Sequence, residues 1–256
     1  MAHLLADEDG MTIYIGCPDQ IGEEEGNRVL AEFYGDLLGW PGYEAYGDCF
    51  ISRSPKFRVG FNETGWSDMR PPRWPDPDYP QQAHLDILVP DVESYGRRAV
   101  QYGASLLQSR EPYRIYADPA GHPFCLYRSG QSGEPIVSRL VYDCFSPRAL
   151  ARFYEGFIGV TERLEDSPDR VVLNLDDVDI PDLAFQHAAP RNYRHPNRDY
   201  PAQLHVDYRF TVDHEHPHFR TPEAVAAIER AKRLGAIPIP VSEVTYADPA
   251  GHPFCI

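Results

Sequence analysis

The residues best suited to chemistry come as two copies of one pattern, His84-Leu85-Asp86 and His205-Val206-Asp207. In an extended chain successive side chains point to opposite faces, so each histidine shares a face with the aspartate two residues on. An imidazole titrating near neutral pH, beside a carboxylate that favours its charged form, makes a general acid or base. Cys125 and Cys255 follow at matching points downstream. Each offers a nucleophile for which the histidine can serve as base. The same residues have a plainer explanation, with the histidines as hydrogen-bonded sheet residues and the cysteines as small buried hydrophobes.

These pairs belong to a chain that repeats itself. Tyr116-Ala117-Asp118-Pro119-Ala120-Gly121-His122-Pro123-Phe124-Cys125 returns letter for letter as Tyr246 to Cys255. A repeat period longer than about 100 residues argues for two tandem domains and against short stacked units. Each copy reads as a turn followed by a strand, with Pro fixing φ and Gly free to take φ > 0. His122 and His252 therefore take a structural reading in the turn. Two further pairs support the duplication: Leu30-Ala31-Glu32-Phe33-Tyr34 with Leu150-Ala151-Arg152-Phe153-Tyr154, and Tyr79-Pro80-Gln81-Gln82-Ala83-His84 with Tyr200-Pro201-Ala202-Gln203-Leu204-His205.

Hydrophobic periodicity predicts the plan βαβββ four times over. The first unit opens with a strand over 11–17, an acidic loop at 23–25 and a helix over about 27–38. The second opens with a strand over 83–89, the third with one over 137–144, and the fourth with one over 204–212. Ser129 to Pro135 has linker composition and sets the boundary between domains 1–130 and 136–256. The segment 65–80 is too proline-rich for a helix or central strand. Its Trp66, Trp74 and Tyr79, and Tyr193 and Tyr200 in the counterpart loop, suit stacking on a flat ligand. Asp213 to His218 packs three histidines into one loop that can catch a divalent metal or stay solvated.

The formal charge of −15 makes nucleic acid a poor partner, since a phosphate backbone demands a basic face. No apolar run approaches the roughly 20 residues of a spanning helix, and the amino terminus lacks a signal-peptide core. The expectation is a cytoplasmic protein, monomer or homodimer, with a small-molecule partner and no membrane. Five scattered cysteines without a CxxC pair suggest reduced thiols.

The repeated helix Leu-Ala-x-Phe-Tyr and the strand pair His-x-Asp and Asp-Pro-Ala-Gly-His-Pro-Phe-Cys resemble the glyoxalase-like branch of the vicinal oxygen chelate superfamily. The resemblance covers nearly the whole chain. It implies an α+β fold of two tandem glyoxalase-like domains, whose paired βαβββ units curl mixed sheets into cups holding a small-molecule site. It also implies, for metal-dependent members, four ligand places on the first and last strands of each unit, commonly His and Glu. Strand phase puts Thr12, Asn62, His84 and Cys125 at those places in the first half, and Arg139, Gln186, His205 and Cys255 in the second. Tyr127 faces the first cup beside Cys125, and Arg209 joins Arg139 in the second, where the two suit an anionic ligand. Neither set matches a two-His-one-carboxylate or His/Glu site. Asp86 or Asp207 would complete one only if its strand were bulged.

The functional expectation is thus a metal-independent enzyme of lyase or isomerase type, with no cofactor, using His84 or His205 with Asp86 or Asp207. A ligand-sequestering protein, of the antibiotic- or metabolite-binding kind, is the alternative. A metal-dependent glyoxalase or dioxygenase with an atypical ligand set is the second. The sequence leaves open whether consecutive or swapped units pair to form each cup.

Overall fold

The computed structural model describes residues 4, 10–17, 23–54, 57–62, 72–76, 78–130, 133–175, 180–188, 201–210, 221–240 and 243–256. The βαβββ plan is present in each of the four units. The first holds β1 (Met11–Gly16), α1 (Glu23–Leu38), β2 (Tyr43–Tyr46), β3 (Cys49–Arg53) and β4 (Arg58–Asn62). The second holds β5 (Ala83–Val89), α2 (Val92–Gln101), β6 (Ser105–Arg110), β7 (Tyr113–Ala117) and β8 (Pro123–Arg128). The third holds β9 (Ile136–Cys144), α3 (Pro147–Ile158), β10 (Arg163–Asp166), β11 (Arg170–Leu173) and β12 (Asp182–His187). The fourth holds β13 (Leu204–Tyr208), α4 (Pro222–Arg233), β14 (Ile237–Pro238), β15 (Thr245–Ala247) and β16 (Pro253–Cys255).

Two expected boundaries move. Helix α1 starts at Glu23, so the expected acidic loop forms its first turn. Strand β13 stops at Tyr208, so Arg209 lies just beyond the strand. The His-rich segment 213–218, Trp66, Tyr193 and Tyr200 lie outside the described residues. Among the described residues no helix is long and apolar enough to cross a membrane.

The strands form two mixed eight-stranded sheets, each built across the halves of the sequence. Sheet A joins the first and fourth units through antiparallel β1 and β13. Sheet B joins the second and third through antiparallel β5 and β9. The pairing is the swapped one. A two-fold clasp marks where the halves cross. The Gln82 backbone N–H donates to Gln203 Oε1 and the Gln203 backbone N–H to Gln82 Oε1, both at 2.9 Å. Their side-chain amides reach on to the carbonyls of Pro201 and Pro80. All these groups are satisfied in a place where lone buried amides would be costly.

One face of each sheet carries the helices and the core. Leu85, Ile87 and Val89 of β5, with Val206 and Tyr208 of β13, point there and are buried. The identical decapeptide explains itself in this layer. Asp118 Oδ1 accepts the backbone N–H groups of Ala120 and His122, and Asp248 Oδ1 accepts those of Ala250, Gly251 and His252. Gly121 and Gly251 take φ of 92° and 100°, the left-handed conformation this turn requires. The other carboxylate oxygen accepts a helix tyrosine: Tyr34 donates to Asp118 at 3.0 Å and Tyr154 to Asp248 at 3.1 Å. His122 and His252 lie against the same carboxylates. Helix α1 packs on sheet A whereas Asp118 precedes β8 of sheet B, so each latch fastens one sheet's helix to the other sheet's turn.

Removing the phenol should therefore cost more than a surface hydrogen bond. Tyr34→Phe and Tyr154→Phe are each expected to destabilise by about 1–3 kcal/mol, the penalty for a buried carboxylate short of a donor. Urea unfolding of the two variants checks this, and a loss under half a kcal/mol in both would show the latch to be idle.

Candidate functional site

The swapped pairing redistributes the four-place sets. Sheet B assembles His84 and Cys125 with Arg139 and Gln186, while sheet A assembles His205 and Cys255 with Thr12 and Asn62. Grouping the places by sequence half is thereby corrected, because each cup takes two strands from each half. Arg139 and Arg209 likewise separate into different sheets.

A cavity of about 410 Å³ opens on the concave face of sheet B, a size typical of small-molecule sites. His84, Cys125, Tyr127, Arg139 and Gln186 line it, and Trp74, from the proline-rich segment before β5, joins them. At its floor His84, Asp86 and Cys125 bring one ligand atom each within 4.8 Å of one another. No bulge in β5 is needed. The register slip beside Asp86 falls in β9, where Arg139 and Val137 face the successive residues Asp86 and Ile87. The extra residue, Ser138, donates its hydroxyl to the Asp86 carbonyl at 3.1 Å.

Asp86 is fully buried and is held from three sides. His84 Nε2 lies 3.4 Å from Oδ1, and Arg170 donates to Oδ2 at 3.2 Å. Arg139 Nη1 stands 3.8 Å from Oδ2. Burial alone would push the Asp86 carboxyl up, but the adjacent His84 ring and the charges of the two guanidiniums hold it below the ordinary range. Burial alone would likewise push the His84 ring down. The charge of Cys125 and its hydrogen bond, with those of Asp86, outweigh it and leave the ring above its ordinary value.

Four residues of this cup were not singled out in the sequence. Arg170 bridges Asp86 to Gln186, donating to Gln186 Oε1 at 3.1 Å. Asp143 accepts Gln186 Nε2 at 2.6 Å and Gln81 Nε2 at 3.1 Å, and its burial pushes its carboxyl up. Gln81 Nε2 also lies 3.1 Å from His84 Nδ1. Tyr113 adds a ring beside Tyr127, their centroids 4.9 Å apart. Strand alternation would have found Arg170, in phase with Val172, and Asp143, in phase with Arg139. Gln81 precedes its strand and carries no such signal.

Sheet A repeats the motif in other surroundings. His205, Asp207 and Cys255 again bring ligand atoms within 4.8 Å of one another. Thr12 pairs with Asp207 where Arg139 pairs with Asp86. Cys49 precedes Phe50 in the register as Arg170 precedes Val171. Ala202 stands where the first copy has Gln81, and His205 Nδ1 is a buried atom without a partner. Tyr14 stacks on the His205 ring at 4.8 Å and 10°, over Gly60, where even a Cβ would collide with the Tyr14 ring. Burial pushes His205 down, and burial with the Asp207 charge pushes the Cys255 thiol up to about 12. One motif thus has its ring pKa raised in sheet B and lowered in sheet A.

A glyoxalase-like domain model matches residues 23–127 and 139–256. The chain belongs to the glyoxalase-like domain family. Its fold is that of glyoxalase I from Zea mays, at 15% identity and a TM-score of 0.57 over 96% of this chain and 90% of that one. A putative dioxygenase from Bacillus subtilis subsp. subtilis str. 168 is similar at 12% identity and a TM-score of 0.61, over 99% of this chain and 85% of that one. At such identities the likeness is one of fold. No curated protein matches the sequence.

The sheet B floor depends on Asp86. Asp86→Asn leaves two guanidiniums without their carboxylate, and breaking such a buried pair costs about 3–5 kcal/mol. The same change should lower the His84 pKa. Since the folded ring titrates above the unfolded one, its contribution to stability is complete below the unfolded pKa and fades as pH rises through the folded value. Ring NMR titration and urea unfolding at two pH values check both effects. An unmoved His84 titration in Asp86→Asn would refute the coupling.

Proposed function

We propose that the cup of sheet B is the working site of a metal-independent acid–base enzyme, of lyase or isomerase type, with His84 as the proton-transfer group. The observation that carries this is the company His84 keeps: a fully buried carboxylate, a thiol and two guanidiniums around one cavity. The donor set does not fit the metal of the wider superfamily. Arg139 and Gln186 stand at two of the four places, and the guanidiniums of Arg139 and Arg170 already face the carboxylate that a divalent ion would need.

His84 Nε2, 3.4 Å from Asp86, is beyond a good hydrogen-bond length and is the nitrogen a ligand atom can take over. Nδ1 is matched in either protonation state. With its nitrogen toward the ring, Gln81 donates to a neutral imidazole; turned over, the same carboxamide accepts from an imidazolium. Asp143, whose carboxyl is pushed up by burial, can then carry the proton that faces the turned amide. Protonation at His84 then requires only that the Gln81 carboxamide turn over, with the backbone and the ring left in place.

Incubation of the protein with a small-molecule cell extract, followed by mass spectrometry, tests the reading. A compound converted by the wild type should be converted roughly 10²–10⁴-fold more slowly by His84→Gln. Compounds held tightly but recovered at unchanged mass would replace the enzyme with a sequestering protein, for which the aromatic wall of Trp74, Tyr113 and Tyr127 supplies the contact surface. Elemental analysis of protein purified without chelator should find no stoichiometric transition metal. One tightly held ion per chain, lost in His84→Ala, would overturn the metal-free part of the proposal.

A further inference from the structure

The sheet B cup contains a cation whose donors the protein leaves unused. Each nitrogen of Arg170 faces an acceptor: it donates to Asp86 Oδ2 and Gln186 Oε1, and its Nε lies 3.5 Å from Glu165. Arg139 is not. Its ion pair with Asp86 is 3.8 Å long, and its Nε is buried with no acceptor. The side chain is 31% exposed and lies on the cavity wall. A buried guanidinium N–H without an acceptor is costly unless a ligand supplies one.

The local charge points the same way. The His84 ring and the guanidiniums of Arg139 and Arg170 face this cavity beside Asp86 and Glu165, and Arg170 is the one that stands against both carboxylates. The chain's net charge of −15 repels anions at a distance, but at physiological salt that repulsion is screened beyond about 8 Å. A guanidinium within hydrogen-bond reach of the ligand therefore decides the sign. One guanidinium short of an acceptor matches one carboxylate; a second anionic group would be buried without a partner. Beside Arg139 the wall is aromatic, with the Tyr113 and Tyr127 rings tilted 33° and Trp74 joining them.

We infer that this cup takes an aromatic monocarboxylate, its carboxylate received by Arg139 and its ring by Tyr113, Tyr127 and Trp74. The inference rests on the reading of sheet B as the working cup and adds the substrate class.

Benzoate and its neutral isostere benzamide are the probes, with binding followed by ligand-detected NMR and by the arginine Nε–H resonances of the protein. Benzoate should bind saturably and move the Nε–H signal that disappears in Arg139→Gln. Benzamide should bind at least tenfold more weakly. Arg139→Gln should weaken benzoate on the order of 10–100-fold, the range for a charge-assisted hydrogen bond, and Arg139→Lys less. Equal binding of the two probes, unchanged benzoate binding in Arg139→Gln, or no binding of either to the wild type would each overturn the inference. If Arg139→Gln does not fold, the comparison of probes on the wild type still decides. Selective benzoate binding together with a His84 ring that titrates at its ordinary value would remove the acid–base reading and leave the ligand class standing. Loss of selectivity with a raised His84 would do the reverse.

Discussion

A carboxylate buried in a turn is the interaction on which the arrangement of this protein depends. Asp118 and Asp248 each tie down the backbone of their own turn and accept a tyrosine from a helix that packs on the other sheet. Burying a carboxylate is tolerable only when its acceptors are filled. The turn, the helix tyrosine and the histidine must therefore arrive together. Within the repeated decapeptide the turn needs Gly at positive φ, Pro at its first corner and Asp at its base, all at once.

Those latches hold the first unit against the second and the third against the fourth, and the Gln82–Gln203 clasp ties the second unit to the fourth, so each fastens one sheet to the other. The second latch also reaches the site. His252 Nε2 lies 3.0 Å from the carbonyl of Asp143, the residue whose carboxylate anchors Gln81 and Gln186 beneath His84. The cup floor is thus braced from behind by the layer that holds the sheets together, as a precise proton-transfer site requires.

Within this symmetric frame the two cups diverged through a few substitutions. Arg139, Arg170 and Gln81 surround His84 and Asp86, whereas Thr12, Cys49 and Ala202 take the matching positions around His205 and Asp207. Tyr14 then settles over Gly60 against the His205 ring. Cations facing a buried carboxylate favour its ionised form, and the guanidiniums of sheet B supply them to Asp86.

Much of this was legible in the residues. The duplication, the four βαβββ units and the alternation that sends His84, Asp86, Cys125 and Arg139 to one face follow from local periodicity, because side-chain direction in a strand is set residue by residue. Asp143 and Arg170 obeyed the same alternation and were readable from it. What the sequence did not settle was which strands become neighbours. The strands β1, β5, β9 and β13 are all rich in apolar residues and all capable of antiparallel pairing, and a register such as Ala83 with Tyr142 or Met11 with Tyr208 leaves no local mark. Only the tertiary structure brought Arg139 and Arg170 to Asp86 and left Thr12 and Asn62 to the other cup, since that choice is made by the packing of helices and turns between sheets.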